Sequence, residues 1–214
     1  SQIEQAIALS ERVLQSIHDE MLPFLKQDHK HLAIVLAGSV GRKETLETSD
    51  VDAFILFDED SAENEKQAQR ILSGVEKIIE EKHKKLKMAS TGAFSQPCTL
   101  NELISRIGGD KETNHILTRR MTLLVESRGV SVDGFFENSR RQILLKYIEE
   151  LQPIERRPIF LMNELARYYR TICVDYEYKK NEVGKPWAVR LIKLRHSRKL
   201  FYFSALLPLL ESMT

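Results

Sequence analysis

Two apolar runs constrain this chain more than any other feature. HLAIVLA (31–37) and VDAFILF (51–57) are rich in branched and aromatic residues, and neither alternates apolar with polar side chains as a half-exposed strand would. Continuous runs of this length between turn signals read as buried strands. The stretch that joins them, GSVGRKETLETSD (38–50), concentrates glycine, serine, a lone arginine and an aspartate in one turn, and a second aspartate follows two residues later.

The segments around these strands carry the helical period. Ile3, Ile7, Val13, Leu14, Ile17, Met21 and Leu25 predict an opening amphipathic helix over 3–25. Ile71, Leu72, Val75, Ile78 and Ile79 predict another, with Asp60 or Ser61 as its cap. KLKMAS (85–90) returns to alternation and predicts a third strand. From Thr99 onward the pattern is almost entirely helical: TLNELISRIGG as a capped short helix closed by Gly108 and Gly109, then longer helices, with the turn NEVGKP between the last two. The expected class is α+β, with an α/β domain over 1–98 and an all-helical domain over 99–214.

Composition narrows the function. Lysine plus arginine (32) nearly balances aspartate plus glutamate (31), so no net field draws the chain to nucleic acid or a membrane, and phosphate chemistry must come from local clusters. No apolar run reaches the roughly 18 residues of a membrane span. Cys98 and Cys173 stand alone, without a CxxC pattern, which suits free thiols in a reducing compartment. A cytoplasmic location is expected, and the six histidines form no zinc-ligand pattern with the cysteines.

The turn chemistry has an economical reading. Asp50 and Asp52, two positions apart on a strand, point the same way with Cα atoms about 6.5 Å apart. Two carboxylates this close repel unless a divalent ion neutralises them, and oxygen ligands of this kind suit magnesium, or manganese, completed by substrate phosphates. Gly38 lets the backbone approach an anion, Ser39 adds a rotatable donor, and Gly41 gives the turn room to bend. Arg42 brings a guanidinium that either binds phosphate or pins the turn through a carboxylate such as Glu44. Ser49 reads as a turn former that orients Asp50, since no histidine in the turn could activate it as a nucleophile.

The string G-S-x-G-R-x-E-x(4)-S-D-x-D, here Gly38, Ser39, Gly41, Arg42, Glu44, Ser49, Asp50 and Asp52, resembles the signature of the DNA polymerase beta superfamily of nucleotidyltransferases. The Gly-Arg-x-Glu insertion is most similar to the branch containing the protein PII uridylyltransferases and the signal-transduction nucleotidyltransferases found beside cyclic-nucleotide-binding and CBS domains. The resemblance implies a small mixed-sheet nucleotidyltransferase domain with flanking helices, a nucleoside triphosphate such as ATP as substrate, Gly38 and Ser39 on its phosphates, and Asp50 and Asp52 on the metal. Relatives usually add a third carboxylate from a later strand, whereas KLKMASTGAFS has no Asp or Glu. Glu126 is the substitute to weigh, against a surface ion pair with Arg128 or Arg119.

The helical half supplies further candidates. Arg190, Lys193 and Ser197 share one helical face, Lys185 precedes them, and the resemblance implies that such basic groups meet a triphosphate while an aromatic such as Tyr169 lies near the base. A solvated charged face with half-buried tyrosines is the other reading. Arg190 and His196 also resemble the paired arginine and histidine of helical HEPN ribonucleases. Three functions therefore stand. One is metal-dependent transfer of a nucleoside monophosphate from an NTP to an acceptor hydroxyl with release of pyrophosphate. Another is a nucleotide-binding regulatory module without turnover, and the last is a component of a toxin–antitoxin-like system. The acceptor expected is a protein or small molecule rather than nucleic acid, and a homo-oligomer is allowed.

Overall fold

The computed structural model describes residues 1–28, 31–89, 96–150, 158–181 and 187–211. Helix α1 (Gln2–Asp28) carries Val13, Ile17, Met21 and Leu25 on one stripe, all buried. Strand β1 (Leu32–Ala37) follows, with every residue buried. A single helical turn, α2 (Gly38–Gly41), leads through a turn into β2 (Asp50–Phe57). β2 runs antiparallel to β1 in a register that sets Leu32 opposite Phe57 and Ala37 opposite Asp52.

Helix α3 (Asn64–Lys82) then crosses back and delivers β3 (Lys87–Met88) parallel to the start of β2, as a parallel neighbour requires a crossover. β4 (Cys98–Thr99) lies parallel to the other end of β2, with Cys98 beside Leu56. α4 (Leu100–Ser105) and α5 (Asn114–Val125) follow, each capped by a threonine: Thr99 accepts the Glu102 N–H at 3.1 Å and Thr113 accepts the Ile116 N–H at 3.2 Å. β5 (Arg128–Ser131) returns to pair antiparallel with the free side of β1, and α6 (Phe135–Leu145) follows it. The sheet is mixed, in the order β3-β2-β1-β5 with β4 also beside β2.

Alternation along the strands divides the core in two. Leu32, Ile34, Leu36, Val51, Ala53 and Ile55 pack with the apolar stripes of α1 and α3. Ala33, Val35, Phe54 and Leu56 project to the opposite face and are equally buried, and α5 packs on β1. Each fully buried aliphatic side chain contributes about 1.5–3 kcal/mol. The central strands are thus a stiff base for the turn that joins them.

The chain forms two compact units, Ser1–Ile143 and Leu144–Thr214. The first is the α+β unit, and the expected boundary at 98 falls inside it, because β5 is a strand of the same sheet. The second is helical throughout its described residues: a π-helical turn (Lys146–Glu150), α7 (Ile159–Asn181), α8 (Trp187–Lys193), a second π-helical stretch (Leu194–Arg198) and α9 (Lys199–Glu211). Within it the Tyr147 hydroxyl donates to Glu164 Oε2 at 3.3 Å, and Glu164 pairs with Arg167.

Several local expectations are revised. The strand expected over 85–90 narrows to two residues, although the Ala89 N–H still donates to Val51 O at 3.0 Å. α3 begins at Asn64 with Glu63 before it; the Ser61 side chain accepts the Glu63 N–H at 3.3 Å and its carbonyl the Asn64 N–H at 3.1 Å, so neither Asp60 nor Ser61 is its side-chain cap. β5 lies in a region expected to be helical. The turn after Asn181, with Lys185, lies outside the described residues. No described helix is long and apolar enough to cross a membrane.

Candidate functional site

The register of the central hairpin builds the site. Asp50 and Asp52 open β2 at its exposed end, where the burial pattern runs from an exposed Asp50 through a buried Val51 to a half-buried Asp52. Val51 and Ala53 turn into the core shared with α1 and α3, so the two aspartates project together from the other face. Ala37 pairs with Asp52, which sets Gly38, the next residue, directly against it.

Gly38 is required there on two counts. Its φ of +62° lies in the left-handed region that disfavours side chains, and a Cβ built on it would clash with Asp52 Oδ2 and lie 3.3 Å from Asp52 Cγ. The small-residue loop and the carboxylate are therefore in direct contact. Ser39 Oγ lies 3.4 Å from Asp50 O, a second tie between the loop and the start of β2. The first amides of α2 have no partner within a helical turn, as at any helix start, and they suit a phosphate oxygen.

The loop is pinned by its flanks. The Arg42 N–H donates to Gly38 O at 3.1 Å and the Glu44 N–H to Ser39 O at 2.8 Å. The Arg42 side chain, buried, donates from Nε to Glu44 Oε2 at 3.0 Å and from Nη1 to Glu126 Oε2. Gly41 sits against the Glu126 backbone, and a Cβ there would come within 2.8 Å of the Glu126 carbonyl carbon. On the α1 side the Thr45 N–H donates to the buried Ser10 Oγ at 3.0 Å, and Lys43 Nζ pairs with Glu11 at 2.8 Å. That pairing holds the Glu11 carboxyl below its ordinary range.

The structure brings Gly38, Ser39, Arg42, Ser49, Asp50 and Asp52 into one turn at the end of the hairpin. Arg42 acts there as a clamp between two carboxylates. Ser49 closes the turn reciprocally: its Oγ accepts the Leu46 N–H at 3.0 Å and its own N–H donates to Leu46 O at 2.9 Å. Glu126 is corrected from a surface ion pair with Arg128 or Arg119 to a buried partner of Arg42. Its partner lies 84 residues earlier, beyond the reach of any local pattern. Among the described residues, no group of three or more His, Cys, Asp or Glu side chains could hold a metal. The Asp50–Asp52 pair, backed by substrate phosphates, fits the sparse protein ligation that magnesium accepts.

Tyr169, Arg190 and Lys193 belong to the second unit. Tyr169 stacks on Tyr202 with ring centroids 4.9 Å apart, and burial pushes its hydroxyl up from the ordinary tyrosine range, with Cys173 adding to the effect. Lys193 is exposed at the end of α8. The side chain of Arg190 lies outside what is described. A π-helical stretch follows Lys193 and changes the helical phase between Arg190 and Ser197.

Comparison with known families gives one finding. The model of a nucleotidyltransferase domain matches residues 18–166, from within α1 through the hairpin turn and into α7. Comparison with the curated proteins gives no match.

Proposed function

The chain belongs to the nucleotidyltransferase domain family, and on that premise we propose that it moves a nucleoside monophosphate from an NTP to an acceptor hydroxyl. The acceptor oxygen bonds to the α-phosphorus while the bond from that phosphorus to the α,β-bridging oxygen breaks. Pyrophosphate leaves with the electron pair, and the hydroxyl proton is released to water. Asp50 and Asp52 would hold magnesium or manganese, which would supply positive charge at the reacting phosphate and lower the pKa of the attacking hydroxyl. Gly38, Ser39 and the amides of α2 receive phosphate oxygens, while Arg42, bound between Glu44 and Glu126, keeps their loop in place. Such chemistry depends mainly on position and charge.

The observation that carries this reading is the contact of Gly38 with Asp52, on the strand face that Asp52 shares with Asp50. The Gly-Arg-x-Glu insertion favours the branch of the PII uridylyltransferases, with a protein or small molecule as acceptor and a cytoplasmic setting. The test is release of pyrophosphate from each of the four NTPs with magnesium, across acceptors that include proteins and small hydroxyl compounds. Activity should vanish in the variant carrying both Asp50→Ala and Asp52→Ala. Persistence of release in that variant would refute the assignment.

A second reading has its own support. With no third acid grouped with Asp50 and Asp52 among the described residues, the same site could serve as a nucleotide sensor. Saturable NTP binding without pyrophosphate release in any acceptor screen would favour it.

A further inference from the structure

The two aspartates have a neighbouring strand, and it brings a cation in place of an acid. β3 runs parallel to β2 with Lys87 beside Asp50 and Met88 beside Val51. The Ala89 N–H bond to Val51 O carries the ladder one residue further and sets Ala89 beside Asp52. Residues side by side in a sheet project from the same face. The face that holds the two carboxylates is thus extended by an ammonium and a methyl group. The sequence that continues from Ala89, STGAFSQP, contains no Asp, Glu, His or Cys.

Lys87 differs from two of the lysines before it. Lys82 pairs with Glu20, and Lys85 pairs with Glu47 at 2.6 Å. The Lys87 side chain, like that of Lys84, is exposed and makes no ion pair or hydrogen bond with any described residue, but Lys87 alone lies beside Asp50. Adjacent strands lie about 4.8 Å apart, and a four-carbon stem carries the ammonium across that gap. The buried carboxylate of Glu126 is bound to Arg42.

Two catalytic ions about 3.5–4 Å apart need ligands for both. One magnesium needs only one or two carboxylates and the phosphates of its nucleotide. We infer that this site is built for a single divalent ion on Asp50 and Asp52, and that the Lys87 ammonium provides the second positive charge against the triphosphate. The inference rests on the reading of this face as an NTP site. It extends that reading to the ion count and to a residue that no motif marks.

The test counts Mn2+ by electron paramagnetic resonance on the full chain, with saturating α,β-methylene analogues of ATP, GTP, CTP and UTP. Binding of the best analogue is then measured in wild type, Lys87→Ala and Lys87→Arg. The account expects one Mn2+ per chain in all three. It expects affinity to fall roughly tenfold in Lys87→Ala and to recover in Lys87→Arg. Because the Lys87 side chain is exposed, each variant should melt near the wild-type temperature without ligand. Two ions per wild-type chain, or unchanged affinity in Lys87→Ala, would overturn the inference and leave the nucleotide site standing. Absence of both Mn2+ and nucleotide binding in the wild type would overturn both.

Discussion

Gly38 packs on the carboxylate of Asp52 so closely that a single added methyl group would clash with Oδ2. The strand register produces this contact, because Ala37 pairs with Asp52 and the chain turns immediately afterwards. Gly38→Ala should therefore act twice. The positive φ costs about 1–2 kcal/mol for an alanine, and the displaced carboxylate no longer faces the loop. Urea unfolding should show that loss of stability, and the rise in Tm produced by magnesium with an NTP should disappear.

Asp50 should behave differently, since it is exposed at the mouth of its strand. Asp50→Asn removes a charge that repels Asp52, so unliganded stability should stay within about 0.5 kcal/mol of wild type. At a ligand concentration 100 times Kd, wild type gains about 2.7 kcal/mol by mass action. Calorimetry should find this gain in the wild type and lose it in the variant.

Glu126 distinguishes a surface pair from a buried clamp. An exposed ion pair contributes within about 1 kcal/mol, whereas removing one partner of a buried pair costs roughly 3–5 kcal/mol. Both Arg42 and Glu126 have buried side chains, so Glu126→Gln should destabilise by about 3 kcal/mol, softened by the remaining bond from Arg42 to Glu44. Chemical denaturation measures this directly, and a loss below 1 kcal/mol would show that the pair does not clamp the loop.

Cys98 gives a pH dependence of definite sign. Burial pushes its thiol from 9.0 up to about 12. Below pH 9 both folded and unfolded chains keep the proton, and the group contributes no slope. Between pH 9 and 12 the unfolded chain releases it while the folded chain retains it, so this group's contribution falls by up to about 1.4 kcal/mol per pH unit. Denaturation from pH 8 to 10.5 should show a shallower decline in Cys98→Ala than in wild type. At pH 8, the partly exposed Cys173 should react with a thiol reagent well before Cys98.

The central hairpin and its turn are legible in the sequence because their signals are local. Two unbroken apolar runs mark strands covered on both sides, and the spacing of Gly38, Ser39, Asp50 and Asp52 lies within one turn. β5 leaves almost no such mark. Its four residues include Gly129, whose smallness is demanded by the Phe136 ring: a Cβ there would lie 2.6 Å from Phe136 Cδ1. That requirement comes from packing after the chain has folded back, as does the pairing with β1. Glu126 is hidden for the same reason, because its partner is fixed by tertiary structure. The phase change after Lys193 is likewise invisible to a count of residues, which assumes an unbroken α-helical period.

The most direct test of the central claim is a crystal structure of the chain with magnesium and a nonhydrolysable NTP. The account predicts an ion ligated by Asp50 and Asp52, with the phosphate chain lying between those carboxylates and the backbone of Gly38 and Ser39. A nucleotide bound elsewhere, with both aspartates contacting only water, would contradict it.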